Sequence, residues 1–315
     1  MQSELHVVVG ATGGTGTALV RELVRRGHRV RAVSRGGGGG GPGVDAVAAD
    51  ATDAGRMREV CAGAAAVYNT VNPPFDRWTE AFPAAVRGTL AGASSAGARL
   101  VFADDTWMYG RVDAPMTEAT PVRPVSAKGV LRAWLAEMVL AAHARGDCPT
   151  VIARAGELYG PRVDSVLGPA LFGAAAAGRP PRWIGALDRP LTPTFVEDFA
   201  GVLATLGGVP AEDLGRVWHV PHPAPTTGHE FVAELRRRTG CRAPLVRVGA
   251  RTARVLGLLW PLAREGAELV YQFEMPFVVD GSAFAARFGF TPTPYAEGIA
   301  RTLGAAPARP AAAPA

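Results

Sequence analysis

Two adjacent carboxylates, Asp104 and Asp105, follow the apolar residues 100–103 and precede a hydroxyl, Thr106. Carboxylates set side by side at the end of a buried strand repel one another, so one of them holds its proton closer to neutral pH and suits general base or acid work. The same residue types also cap turns through backbone N–H groups. Further along, Lys128 is the only lysine in a chain whose other basic side chains are arginines. Arginine keeps its proton, whereas a desolvated lysine can release it near neutral pH, so Lys128 is singled out beside Asp105 for proton transfer. Thr106 is the nearest hydroxyl. Tyr109, Tyr159 and Glu157 are further candidate acids. Trp78, Trp107, Trp183 and Phe195 are candidates for lining an apolar pocket, and residues of this type equally serve as plain core.

A second set of residues is suited to phosphate. The strand-like residues 7–9 run into Gly10-Ala11-Thr12-Gly13-Gly14-Thr15-Gly16, and an amphipathic stretch carrying Ala18, Leu19, Leu23 and Val24 follows, ending at Arg26-Gly27. Glycines three apart allow a tight turn, close approach of backbone N–H groups to a pyrophosphate, and close packing of helix on strand. The positive helix N-terminus then faces the phosphates. The strand before and the helix after make this a dinucleotide-binding turn.

The elements that must position both sets are legible as an alternation. Strand-like runs at 7–9, 30–33, 66–69, 100–103 and 151–153 alternate with helical stretches near 15–26, 54–62, 79–96 and 128–145. This predicts an α/β fold, a Rossmann-like doubly wound parallel sheet with helices on both faces and the strands' carboxyl ends at one edge, where ligands bind. Residues 1–165 read as the dinucleotide-binding core, which also receives parts of 190–222. Residues 166–303, rich in proline, with a strand at 217–220 and a helix at 228–239, read mainly as a smaller C-terminal substrate-binding part. Residues 36–43 form a glycine-rich loop where an adenosine ribose would lie, and residues 304–315 read as a disordered tail.

Composition excludes several classes. At 315 residues and 48% hydrophobic the chain can bury a large core. Its formal charge of +5 comes from arginines scattered along the sequence, without the basic runs that nucleic acid would require. Cys61, Cys148 and Cys241 are far apart and the six histidines lack ligand spacing, so neither a disulfide framework nor a metal site is expected. With no leader and no apolar run approaching about 18 residues, a soluble cytoplasmic protein is expected, without membrane contact.

The glycine turn, Tyr109-Gly110, Tyr159-Gly160-Pro161, Asp50-Ala51-Thr52-Asp53, Phe195-Val196-Glu197-Asp198, Val279-Asp280 and the ending at 292–303 together resemble the extended short-chain dehydrogenase/reductase family, the NAD(P)-dependent epimerases and dehydratases. The likeness runs from about residue 5 to 303, and only the glycine turn is specific alone. It implies a cofactor site at Gly10, Thr12, Gly13, Gly14, Thr15, Gly16, Ser34, Arg35, Asp50, Asn69, Thr70, Val71 and Lys128. In this family the residue ending the second strand selects the cofactor. Ser34-Arg35 offers no carboxylate for the ribose hydroxyls of NAD and one guanidinium for a 2′-phosphate, so NADP(H) is expected over NAD(H).

The resemblance breaks at the chemistry. The family uses a Ser or Thr at the end of the fourth strand and a Tyr-x-x-x-Lys on the next helix; here Asp105 stands where the hydroxyl is expected and that tyrosine is missing. Matching the family's Pro-x-x-Pro to Pro121 and Pro124 puts Lys128-Gly129 at the Tyr-Gly position and Arg132 at the lysine position. Matching Lys128 to the lysine puts Pro124 at the tyrosine. The first register fits better without gaps, and both leave the phenol relay absent. The leading expectation is an atypical NADP-dependent oxidoreductase or epimerase acting on a small-molecule carbonyl or alcohol, with Lys128 or Asp105 moving the proton and Arg132 steadying the cofactor. A non-redox lyase, isomerase or cyclase using Asp105 and Lys128, and a dinucleotide-binding sensor, are the alternatives. The resemblance implies that a homodimer would form through helices 79–96 and 128–145, with Trp134, Leu135, Met138 and Val139 serving either that interface or the core.

Overall fold

The computed structural model describes residues 4–249, 252 and 266–304. The expected tail lies outside them except for Gly304, which closes the final helix. Seven parallel strands form the main sheet: β1 (Leu5–Val9), β2 (Arg29–Ser34), β3 (Val44–Ala48), β4 (Ala66–Asn69), β5 (Arg99–Asp104), β6 (Thr150–Arg154) and, later in the chain, β11 (Val217–His219). Their order is β11-β6-β5-β4-β1-β2-β3, a doubly wound sheet that reverses direction at β1 and β4. Edge strand β3 was not among the expected runs: Val44-Asp45-Ala46-Val47-Ala48 is largely exposed, so it lacks the apolar signature of a central strand.

The helices α1 (Gly14–Arg25), α2 (Ala54–Cys61), α3 (Trp78–Ser95) and α4 (Ala127–Ala144) cross over between these strands. In α1 the buried residues Gly16, Leu19, Val20 and Leu23 recur at the spacing of one helix face and pack on the sheet. α4 begins at Ser126, whose hydroxyl accepts from Gly129 N–H at 3.0 Å. The second half builds short pairs: β7 (Leu158–Tyr159) with β10 (Thr194–Phe195), β8 (Arg182–Ile184) with β13 (Val246–Val248), and β9 (Pro190–Leu191) with β12 (Thr226–Thr227). With them come α5 (Ala174–Ala176), α6 (Val196–Leu206), α7 (Gly228–Thr239), α8 (Ser282–Phe288) and α9 (Tyr295–Gly304). The seventh sheet strand and α6, which packs on α1, both come from this half. Tyr159, Trp183, Phe195 and Phe231 form a separate apolar cluster there.

Two glycines set the geometry at the carboxyl edge. Gly10 has φ +92°, and a Cβ on it would lie 2.8 Å from the backbone of Thr70 at the end of β4. A Cβ on Gly16 would lie 2.2 Å from the carbonyl oxygen of Gly10. Helix α1 therefore sits closer to β1 than any side chain permits. Gly16→Ala should destabilise the fold by about 1–3 kcal/mol, the usual cost of overpacking, read as a lowered denaturation midpoint; an unchanged midpoint would mean that α1 can move away freely.

Candidate functional site

Two cavities open at the carboxyl edge and share Asn72. The first, about 530 Å³, is lined by Gly10, Thr12, Gly13, Ser34, Arg35, Asp50, Thr70 and Val71, eight of the expected cofactor residues. Sequence reading missed a further part of its wall: Asn72-Pro73-Pro74, Arg77 and one face of α3 at Glu80, Ala81, Ala84 and Ala85. These carry no motif and reach the cavity only because α3 folds back along β4.

Gly14, Thr15, Gly16 and Asn69 do not line this cavity. Gly14 packs under the Arg162 carbonyl, Gly16 under Gly10, and Thr15 stands in the first turn of α1. Asn69 is buried and shapes the wall from behind, its Oδ1 accepting from Val71 N–H at 3.1 Å and its Nδ2 donating to Thr89 at 3.2 Å. Asp50 accepts from both the N–H and the hydroxyl of Thr52, and these bonds hold its carboxyl below the usual range. The glycine-rich loop folds beside Thr12, with Ser34 Oγ donating to the Gly38 carbonyl at 3.1 Å.

A dinucleotide fits the first cavity. Gly13 caps α1 without a side-chain hydrogen bond, so the first N–H groups of the helix are left for a ligand. A Cβ on Gly13 would meet nothing closer than 3.5 Å of protein, so the cavity side of this residue is open.

The second cavity, about 580 Å³, is lined by Phe75, Trp78, Trp107, Leu158, Val166 and Phe273 among its apolar residues and by Asp105, Arg132 and Glu157 among its polar ones. Trp78 and Trp107 stack with centroids 5.6 Å apart. Trp183 and Phe195 belong instead to the C-terminal core cluster.

Beneath this cavity lies a buried charge cluster. Asp104 Oδ2 accepts from Arg154 Nε at 2.9 Å, and Asp104 Oδ1 pairs with Arg132 Nη1 at 3.4 Å. Arg132 Nε lies 2.7 Å from Asp105 Oδ2, an ion contact off the N–H direction, so neither atom has an aligned hydrogen bond. Arg132 also stacks over Trp78 and Phe82. Burial pushes the Asp105 carboxyl up to about 6; the Arg132 charge opposes this and the neighbouring Asp104 reinforces it. Glu157 is pushed up to about 7, first by burial and further by the Asp105 charge, against a hydrogen bond from Ser165.

The remaining candidates fall elsewhere. Lys128 is buried outside the lining of both cavities: its Nζ lies 3.4 Å from Glu268 Oε1 and 5.0 Å from the Phe75 ring centroid, behind the cavity wall. Glu268 also accepts from the N–H groups of Ala127 and Lys128, which draws the lysine toward that helix end. Thr106 is buried and lines neither cavity. Tyr109 is a core phenol, bonded to His219 Nε2 at 2.6 Å and accepting from Arg154 Nη1 at 2.8 Å, with burial raising its pKa. Tyr159 is enclosed by Phe172, Phe195 and Phe231, and burial raises its pKa strongly. Of the sequence candidates for proton transfer, the second cavity brings together Asp105 and Glu157.

With this geometry the chain is a dinucleotide-fold protein with an adjoining ligand cavity. The sequence profile of the NAD-dependent epimerase/dehydratase family matches residues 6–218, and the chain belongs to that family. Curated protein sequences give no match. Among solved structures it is similar to dTDP-glucose 4,6-dehydratase DesIV of Streptomyces venezuelae with NAD and TYD bound (20% identity, 96% of each chain, TM-score 0.76). It is also similar to MoeE5 in complex with UDP-glucose and NAD (23% identity, 96% of this chain and 98% of that one, TM-score 0.77). UDP-glucose 4-epimerase of Thermotoga maritima with UDP-glucose is a third (16% identity, 96% and 98%, TM-score 0.78).

The Glu157 environment sets a pH dependence. Folding raises its pKa from 4.5 to about 7, so folding favours the protonated form. The resulting stability is present below about pH 4.5 and is lost as pH rises through 7. Glu157→Gln should therefore raise the thermal midpoint relative to the parent at pH 8 and leave it unchanged at pH 4. An equal difference at both pH values would show that the carboxyl is not desolvated.

Proposed function

We propose that the chain is an NADP(H)-preferring oxidoreductase or epimerase acting on a carbonyl or alcohol of a small molecule, with Asp105 and Glu157 handling the proton that a phenol handles in the family it resembles. The observation that carries this reading is the junction at Asn72, where the cavity entered by the glycine turn meets the cavity holding the two carboxylates. Two of the similar structures hold NAD, in support of a dinucleotide here. Preference for the 2′-phosphorylated form is supported by Arg35 and Arg77, which line the same cavity as Asp50 while no carboxylate ends β2.

The nicotinamide, when bound, supplies or accepts the hydride. Everything else is asked of the chain. Arg132, held by Asp104 and by two aromatic rings, orients Asp105 and keeps part of its charge compensated. Glu157 and Asp105, held near neutral in their affinity for protons, can take a proton from an alcohol or return one to a carbonyl. Trp78, Trp107 and Phe75 exclude water and bind the apolar body of the substrate. A non-redox lyase or isomerase is the second reading, favoured by the same two carboxylates, because proton transfer between them needs no hydride.

Calorimetric titration of the cofactor-stripped protein with NADPH and with NADH tests the first reading. NADPH should bind more tightly, and Arg35→Ala should weaken NADPH by roughly 10- to 100-fold, the worth of a charge-assisted bond, while sparing NADH. Asp105→Asn and Glu157→Gln should each lower kcat by roughly 10²- to 10⁴-fold with cofactor affinity intact. Turnover that persists in the dinucleotide-free protein would favour the second reading; failure to bind either dinucleotide would remove the first, and binding without turnover of any substrate would leave a sensor.

We also propose a cytoplasmic homodimer formed through α3 and α4. No described helix is long and apolar enough to cross a membrane. On α4, Leu135 and Val139 are fully buried in the core, whereas Val130 and Trp134 are 56% and 45% exposed, a surface suited to a second copy. Trp134→Glu should convert a dimer to a monomer in light scattering; a parent already monomeric would overturn the assignment.

A further inference from the structure

At the opposite edge of the sheet from both cavities, the amino-terminal ends of β1 and β2 bring together Glu4, His6 and His28. The parallel register pairs Leu5 with Arg29 and His6 with Val30, and Arg29 N–H donates to the Glu4 carbonyl at 3.1 Å. His6 lies in β1, Glu4 immediately precedes that strand, and His28 immediately precedes β2, its neighbour in the sheet. One nitrogen of each histidine and one carboxylate oxygen of Glu4 lie within 4.8 Å of one another.

His6 is the informative member. Its side chain is 2% exposed, and its Nδ1 is bonded to the Tyr68 hydroxyl at 2.8 Å. Its Nε2 is buried without any hydrogen-bond partner, the nearest Glu4 oxygen being 3.9 Å away. A buried nitrogen with nothing to bond costs free energy, whichever tautomer is present. We propose that Glu4, His6 and His28 form a binding site for a divalent ion of the zinc class, with His6 Nε2 as the buried ligand and solvent in the fourth position. The chemistry of the donor set fits such an ion: two imidazoles and one carboxylate are ligands that zinc accepts in tetrahedral geometry.

The surroundings of His6 supply what a metal ligand needs. A ligating histidine is normally oriented by a hydrogen bond at its other ring nitrogen, which is what Tyr68 provides at Nδ1. Ligation through Nε2 requires the tautomer in which Nδ1 carries the proton and donates it to the Tyr68 hydroxyl oxygen, a role that the 2.8 Å contact permits. Arg99 opposes a cation, but its guanidinium is engaged with the Val209 carbonyl, and the Glu4 carboxylate supplies the local negative charge. The His6 and His28 rings lie with centroids 4.0 Å apart. Metal–ligand bonds of about 2.1 Å require ligand atoms roughly 3.4 Å from one another, a closure that the exposed Glu4 and half-buried His28 can make by side-chain rotation. The ion would tie the first residues of β1 to the turn before β2, a structural role remote from the cavities.

The test uses the tag-free full chain after chelator treatment, titrated with zinc chloride by calorimetry and followed by thermal denaturation with and without zinc. One equivalent should bind, and the midpoint should rise with the logarithm of zinc concentration above saturation. His28→Ala should lower zinc affinity by at least about tenfold and abolish most of the midpoint rise, while leaving dinucleotide binding unchanged; Glu4→Gln should do the same more weakly. Glu4 is exposed and His28 half-buried, both variants keep the buried His6, and unchanged dinucleotide binding reports that the fold is kept. No zinc-dependent midpoint shift in the parent, or equal zinc binding by parent and His28→Ala, would overturn the site.

Discussion

The carboxylate of Asp104, fully buried and shared between two guanidiniums, is the interaction on which the site depends. The β5–β6 register places Asp104 directly beside Arg154, and α4 delivers Arg132 from the other side. A buried charge is tolerated only when it is paired and bonded, and the loss of one partner is far more costly than the pair's net worth. The pairing thus locks two strands and a helix into one arrangement. From Arg154 it extends through Tyr109 to His219 on β11, so the last strand of the sheet is joined to the same network.

That arrangement makes the two adjacent aspartates unlike one another. Asp104 is consumed by structure, whereas Asp105, one residue on, lines the second cavity, its Oδ1 accepting from Trp107 N–H at 3.0 Å and its Oδ2 in a poorly aligned contact with Arg132. Burial then raises its proton affinity, and Glu157, at the carboxyl side of β6, experiences the same burial and the Asp105 charge. Two carboxyls whose proton affinities are raised by burial in one cavity are what the proposed proton transfer without a phenol rests on.

The dinucleotide side of the site follows from a different constraint, the absence of side chains. Gly10 and Gly16 allow β1, β4 and α1 to converge, and the uncapped start of α1 at Gly13 is left facing the first cavity. Both halves meet at Asn72 because the sheet reverses its winding between β1 and β4, which opens a crevice at the ends of those strands.

The fold class and the glycine turn were legible in the sequence because both are local: short continuous apolar runs for strands buried on both faces, period-3.6 patterns for helices, and a turn whose glycines are contiguous with the strand and helix they join. The same holds for the absence of a family tyrosine, the arginine after β2 and the positions of most helices. What folding alone decided are relations between distant segments. Lys128, conspicuous as the only lysine, is drawn to Glu268, 140 residues away, and Tyr109 to His219, 110 residues away. Glu157 gained its place beside Asp105 from the adjacency of β5 and β6, and His6 met His28 across a strand register, with no ligand spacing along the chain. Sequence specifies residue types and local periodicity, whereas burial, charge pairing and the proton affinities that depend on them arise only when segments far apart in the chain exclude water from one another.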